Sequence, residues 1–213
     1  MKTLLITICL LPRSPFNKEE LCLKGLLVNQ ELMFTIFKRK KLTEDQLASF
    51  FVNSTLKLVE SGFEDVVEII NNDPEFARNP GLDKSNFDQF LLIVIAGNLQ
   101  IQTKYFESIK DARIVDKIFR KLATALNVEA SVLKETIAKY QSWMGRINHP
   151  SKNTHYAMSK GVFFKYELNQ FQTDYFKNMN TPNPIFLKRL DEIIGQFIFN
   201  WSDIQENYRI TGD

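Results

Sequence analysis

Phe90-Leu-Leu-Ile-Val-Ile-Ala96 is an unbroken run of seven apolar residues. Consecutive helical residues point in different directions, so a helix carrying this run is apolar all round and must be surrounded by other helices. The run is far shorter than the roughly 20 residues that span a bilayer. It predicts a central helix near 86–97 that buries four consecutive residues, Leu92, Ile93, Val94 and Ile95.

Helix-capping signals lie on both sides of this run. Thr43-Glu-Asp-Gln46 has the form of a capping box, Ser85 is a good N-cap, and Asn183-Pro184 places proline at a first helical position. Asn127 stands where a left-handed residue would end a helix. No sustained alternation of apolar and polar residues predicts strands. The sequence therefore predicts an all-α fold, a multi-helix orthogonal or bundle-like single domain of about seven to nine helices.

Apolar spacing predicts the extent and the inward side of each helix. The first helix covers 17–37, a second begins at Thr43 and is ended by Gly62, and a short third covers 63–71. Helices near 111–126 and 130–147 follow the central one. The second helix is predicted to face inward at Leu47, Phe50, Phe51, Leu58 and Val59.

Two long helices are predicted in the second half of the chain. The first covers 154–178, with its inward positions at Ala157, Gly161, Phe164, Leu168, Phe171 and Tyr175. Its two small residues, Ala157 and Gly161, would let another helix approach closely. The last helix begins at Pro184, and its inward positions are Leu187, Leu190, Ile194, Phe197, Trp201, Ile204 and Tyr208.

The N-terminal part of the chain is ambiguous. Residues 1–32 form either an apolar leader or a peripheral first helix, and 33–213 form the all-α domain. The apolar run 4–11 resembles a secretory signal, but Pro12-Arg13-Ser14-Pro15 follows where a small-residue cleavage site would stand. We expect a cytoplasmic protein with no membrane span, although the 1–11 run leaves secretion open.

Composition excludes several classes. Eight Gly, seven Pro and 18 Phe do not fit collagen-like or disordered chains. Two Cys cannot build a disulfide framework. A net charge of +2 does not indicate a general polyanion binder.

Charge is distributed unevenly along the chain. Residues 44–88 hold ten acids and three bases, whereas residues 136–166 hold five bases and no acid. The acid-free segment also contains both histidines and leads into a predicted helix N-terminus, which favours anions. It predicts an anion-binding site with six candidate residues, Arg146, His149, Lys152, Asn153, His155 and Lys160. The alternative is that the acidic segment packs on the basic one and the charges neutralise each other.

Signatures of catalysis and of metal binding are missing from the sequence. The chain has no Gly-x-Ser-x-Gly, no Walker loop, no His-Glu-x-x-His and no dinucleotide fingerprint. His149 and His155 are six residues apart with Pro150 between them, which is not a zinc spacing. We predict no catalytic residue, no metal and no cofactor.

The segment 119–137 has the spacing of a helix-turn-helix. Ala123 would lie at the helix crossing, Asn127 at the turn, and Leu133 would anchor the second helix. A DNA-binding surface would use Ser131, Lys134 and Lys139, but Glu129 and Glu135 lie beside them and phosphates repel acids. The same spacing describes any tight pair of helices.

These observations favour a non-catalytic helical interaction module that binds an anionic group near 146–160. Its expected partner is another protein, with a small anionic ligand as a further candidate and nucleic acid disfavoured; oligomers remain open. The alternatives are a helix-turn-helix DNA-binding regulator at 119–137 and an enzyme or sensor of a small phosphorylated ligand.

Overall fold

A computed structural model describes residues 39–212. The predicted leader, the predicted helix at 17–37 and residue 213 lie outside the described residues. The α-helices are α1 (Glu44–Asn71), α2 (Asp88–Gln102), α3 (Ser108–Leu126), α4 (Ala130–Ile147), α5 (Thr154–Lys165), α6 (Asp174–Met179), α7 (Pro184–Ile194) and α8 (Trp201–Asn207). Short 3-10 helices cover Leu168–Phe171 and Gly195–Phe197, and two strands, β1 and β2, cover Lys40–Thr43 and Tyr208–Thr211.

The predicted all-α fold is confirmed, with one small sheet added. β1 and β2 pair in parallel, with Lys40 opposite Tyr208 and Thr43 opposite Thr211. A strand of four residues is too short to show the alternation of apolar and polar residues that predicts strands, so the sequence does not predict this pair. It joins the two ends of the described chain.

α2 is the centre of the core, as predicted. Ile93 and Ile95 are fully buried and Val94 nearly so, while Leu92 is only half-buried. The helix begins at Asp88 and not after Ser85, because the Ser85 N–H and hydroxyl both donate to Asp83 Oδ1 at 2.7 and 2.8 Å. α2 packs against α1, α4 and α5.

α1 confirms one local prediction and corrects two. The Thr43 capping box is present, with the Thr43 N–H donating to Gln46 Oε1 at 3.0 Å. Gly62 does not end the helix: it lies in the middle of α1 against the Phe197 ring, where a Cβ atom would be 3.0 Å from Cζ. Phe50 and Leu58 were predicted to face inward but are 53% and 38% exposed, since the core side of α1 is already filled by neighbouring apolar residues.

The predicted helix 154–178 is wrong beyond Lys165. Tyr166 is buried, and its hydroxyl donates to Asn86 O at 2.7 Å and accepts the Phe90 N–H at 3.2 Å. Glu167 then adopts φ +54°, a left-handed conformation that ends the helix. Tyr175 consequently lies on α6 and is 68% exposed. At Gly161 a Cβ would lie 3.5 Å from Ile93 Cδ1 and from Met144 Sδ, an ordinary contact distance, so the two side chains would also pack against an alanine.

The last predicted helix is also broken. α7 begins at the predicted Asn183-Pro184 cap but ends at Ile194; a 3-10 turn follows to Phe197, and α8 begins only at Trp201. The buried Asn98 side chain accounts for the break, because its Nδ2 donates to Phe197 O at 2.8 Å and its Oδ1 accepts the Phe199 N–H at 2.7 Å. Phe197, Trp201 and Ile204 are buried as predicted, whereas Tyr208 lies in β2.

No helix between residues 39 and 212 combines the length and the apolar character needed to cross a membrane.

Candidate functional site

Four of the six predicted anion-binding residues lie on the surface where α4 connects to α5. Arg146 is exposed in the last turn of α4, and its Nη1 donates to Ser142 Oγ at 2.9 Å. His149 and Lys152 are exposed in the loop. Asn153 is the N-cap of α5, and its Oδ1 accepts the Tyr156 N–H at 3.4 Å.

The buried side chain of Asn148 holds this loop in place. Its Nδ2 donates to Ser151 O at 3.3 Å and to Asn153 O at 2.9 Å. These two bonds fix the path of the chain between α4 and the start of α5, so the loop that carries His149 and Lys152 has a defined shape. Sequence reasoning gave Asn148 no role.

His155 and Lys160, the other two predicted residues, make contacts within the fold. His155 Nε2 lies 2.7 Å from Asp191 O on α7, and its ring packs over Gly195. Lys160 Nζ donates to Ile147 O at the end of α4 at 3.4 Å and lies 4.8 Å from the centroid of the Tyr156 ring. His155 therefore joins α5 to α7, whereas the Lys160 ammonium stays beside the α4–α5 loop.

Three further residues extend the site along the two helices. Lys165 Nζ lies over the rings of Tyr140 and Trp143 on α4, at 4.5 and 5.0 Å from their centroids. Sequence reasoning counted Lys165 as a base but missed the two rings; their spacing of three within an acid-free segment was the available signal. We call the resulting surface the basic face, consisting of Tyr140, Trp143, Arg146, Lys152, Tyr156, Lys160 and Lys165.

Acidic residues of the segment 44–88 form ion pairs with bases outside the segment 136–166. Glu44 pairs with Arg113 at 2.6 Å and Asp73 with Arg189 at 2.7 Å, both through two-pronged contacts that raise the pKa of the arginine. Asp45 pairs with Lys121, and Glu64 with Lys84. The bases in these four pairs all lie outside 136–166.

A serine, a histidine and an aspartate meet between α5 and α7, but not in the geometry of a nucleophile and its base. Ser159 is fully buried, and its hydroxyl donates to Asp191 Oδ1 at 2.7 Å. His155 Nε2 faces the Asp191 main-chain oxygen and not the serine hydroxyl. Activation of serine requires a hydrogen bond from its hydroxyl to the base. This cluster instead fastens α7 to α5.

The turn of the proposed helix-turn-helix is confirmed in conformation. Asn127 has φ +52° and connects α3 to α4. Ser131 and Lys134 are exposed on α4, whereas Lys139 is paired with Glu135 at 2.6 Å. Val128 and Val132 are 45% and 58% exposed beside them. DNA binding by Ser131, Lys134 and Lys139 stays a prediction.

Metal ligation finds no support within residues 39–212, where no three His, Cys, Asp or Glu side chains are grouped to hold an ion. No protein-family model matches the chain, and no curated protein or solved structure matches it either.

Proposed function

We propose that the protein is a non-catalytic helical interaction module that binds an anionic group of a partner protein on the basic face. The observation that carries the proposal is the contact of Lys165 with Tyr140 and Trp143 across the α4–α5 pair, within a segment that contains five bases and no acid.

The aromatic rings favour binding because they restrict the Lys160 and Lys165 side chains before a partner binds. A lysine held over a ring keeps its positive charge but loses part of its rotamer freedom before any partner arrives. Part of the entropy cost of association is therefore already met. Tyr, Trp and Arg are also the residues that dominate the binding energy of protein interfaces.

The exposed residues supply the charge that a partner would meet first. Arg146 can make a two-pronged contact with a carboxylate or phosphate, and Lys152 adds a mobile positive charge in the loop. An acidic segment of a partner would be drawn to the face by long-range attraction, which salt weakens. Both side chains are exposed, so changing them should leave the fold intact.

Charge reversal at the two exposed bases tests the proposal. We expect Arg146→Glu with Lys152→Glu to weaken the binding of a fluorescent oligoglutamate peptide by at least about tenfold at low salt, equivalent to roughly 1.4 kcal/mol. Fluorescence anisotropy measures this affinity, and a thermal melt of each variant checks the fold. Binding by the unchanged protein should also weaken as salt is added.

The matched control is Lys104→Glu with Lys188→Glu, which reverses the same number of exposed charges away from the basic face. If both double variants lose affinity equally, the peptide senses only net charge and the basic face is not a site. If the unchanged protein does not bind the peptide even at low salt, the proposed function is wrong.

A further inference from the structure

A groove of about 380 Å³ lies between the second half of α1 and Arg189 on α7. Ile69 and Pro74 form its apolar part, and Asp65 and Glu68 add two carboxylates from α1. These two acids are three residues apart on a helix, so they lie on the same side of α1. The proposed function does not use this groove.

The groove keeps two negative charges after its internal ion pair is counted. Asp73, the third acid of the lining, is paired with Arg189, so these two charges cancel. The other two carboxylates are exposed, and among residues 39–212 neither has a base within ion-pair distance. Lys84 is bonded to Glu64, which raises the Lys84 pKa, and Glu68 adds only a weaker effect on that pKa. The groove therefore combines an apolar part with two carboxylates that have no ion-pair partner among the described residues.

The sequence around the groove is opposite in charge to the sequence of the basic face. Residues 58–77 contain six acids and no base, whereas residues 136–166 contain five bases and no acid. Lys139, one of these five bases, is paired with Glu135 and does not belong to the basic face. Within the described part of the chain, the other four have no acid within ion-pair distance: Arg146, Lys152, Lys160 and Lys165. One chain thus carries two surfaces of opposite charge that do not neutralise each other within the molecule.

Arg146 has the chemistry that the groove requires. An arginine packs its aliphatic stem on apolar surface while its guanidinium makes a two-pronged contact with a carboxylate. The groove offers both parts, since its apolar residues lie beside two carboxylates. Arg146 is exposed and donates one hydrogen bond, to Ser142 Oγ, so its other N–H groups are open to a carboxylate.

From this complementarity we propose that the groove binds the basic face of a second copy of the chain. The inference rests on the proposed function, because it uses the same basic face and names its partner. A net charge of only +2 does little to keep copies apart. Because the groove and the basic face are different surfaces, the contact is heterologous, and a pair of copies keeps one of each open to further copies.

Sedimentation velocity at increasing protein concentration tests the self-association. Exposed ion pairs contribute little each, so we expect the average mass to rise above that of the monomer only between about 0.1 and 1 mM at low salt. Added salt should return the protein to the monomer, because it screens exposed charges. Below about 0.1 mM the protein is a monomer, so peptide binding is measured there without competition from self-association.

Two double variants each remove one of the two surfaces. Asp65→Lys with Glu68→Lys alters the groove, and Arg146→Glu with Lys152→Glu alters the basic face. Each should weaken self-association by at least about tenfold. Only the second should lose affinity for oligoglutamate. The two variants should associate again when they are mixed, because one keeps the basic face and the other keeps the groove; damage to the fold would not be repaired by mixing.

The matched control is Glu107→Lys with Glu206→Lys, which reverses two exposed acids that belong to neither surface. It should associate as the unchanged protein does, and equal weakening would show an effect of net charge alone and overturn the proposal. Undiminished association of Asp65→Lys, Glu68→Lys would place the contact elsewhere and overturn it too. Thermal melts check the fold of each variant.

The two proposals fail in distinguishable ways. A protein that binds oligoglutamate but stays monomeric at about 1 mM and low salt would overturn the self-association and leave the proposed function standing. A protein that does neither would overturn both. If the monomeric protein binds oligolysine at the groove, the groove serves a basic segment of a different protein, and the inference of a second copy is wrong.

Discussion

An Ile95→Asp protein is expected not to fold. Ile95 is fully buried on α2, the helix around which α1, α4 and α5 pack. An unpaired carboxylate at this position costs several kcal/mol, which is comparable to the entire stability of roughly 5–15 kcal/mol of a typical domain. Far-UV circular dichroism and a thermal melt would show the loss of cooperative structure.

Ile95→Val is the matched control, because it removes one methylene group without adding charge. It should lower the free energy of unfolding by only about 0.5–1.5 kcal/mol and keep a cooperative melt. A soluble Ile95→Asp protein with a cooperative melt would show that α2 is not the centre of the core.

Asn98→Leu should lower the free energy of unfolding by about 3 kcal/mol or more, because buried groups left without a hydrogen bond cost about 1–3 kcal/mol each. Asn98 is fully buried. Its side chain donates to Phe197 O and accepts the Phe199 N–H, and both groups lie on the connection between α7 and α8. Chemical denaturation measures the change.

Asn53→Leu makes the same substitution at an exposed position of α1 and should change stability by no more than about 0.5 kcal/mol. If Asn98→Leu lowers the free energy of unfolding by less than about 1 kcal/mol, the main-chain groups of the α7–α8 connection form other hydrogen bonds and Asn98 does not fix the end of α7.

Signals that act within a few residues were readable from the sequence. The Thr43 capping box, the left-handed Asn127 and the Asn183-Pro184 helix start depend on neighbouring backbone groups, and all three were predicted correctly. The apolar run 90–96 was equally informative, because its burial follows from the lack of a polar side.

Errors arose where a distant residue decides the local structure. Gly62 lies inside α1 with the Phe197 ring packed against it, and the chain after α7 is hydrogen-bonded by the buried Asn98 side chain. The helix beginning at Thr154 ends where Tyr166 is fixed by Asn86 and Phe90. Contacts between residues so far apart in the chain produce no periodic pattern in the sequence.

In the candidate site, too, local features were predictable from the sequence and contacts between distant residues were not. The acid-free segment 136–166 was visible as composition, and Arg146, His149, Lys152 and Asn153 do lie together at one surface. The contact of His155 with Asp191 on α7 depends on how helices pack and could not be foreseen. For the contact of Lys165 with two rings on α4, the sequence offered only the spacing of the rings.

An amide-resonance NMR titration of the protein with an oligoglutamate peptide locates the residues at which the peptide binds. If the basic face is the binding site, saturable shifts are confined to its residues, including the Trp143 indole and the Arg146 to Lys152 loop, and they disappear in Arg146→Glu, Lys152→Glu. Shifts centred on α1, α6 or the exposed side of α3, or no saturable shifts at low salt, would contradict it.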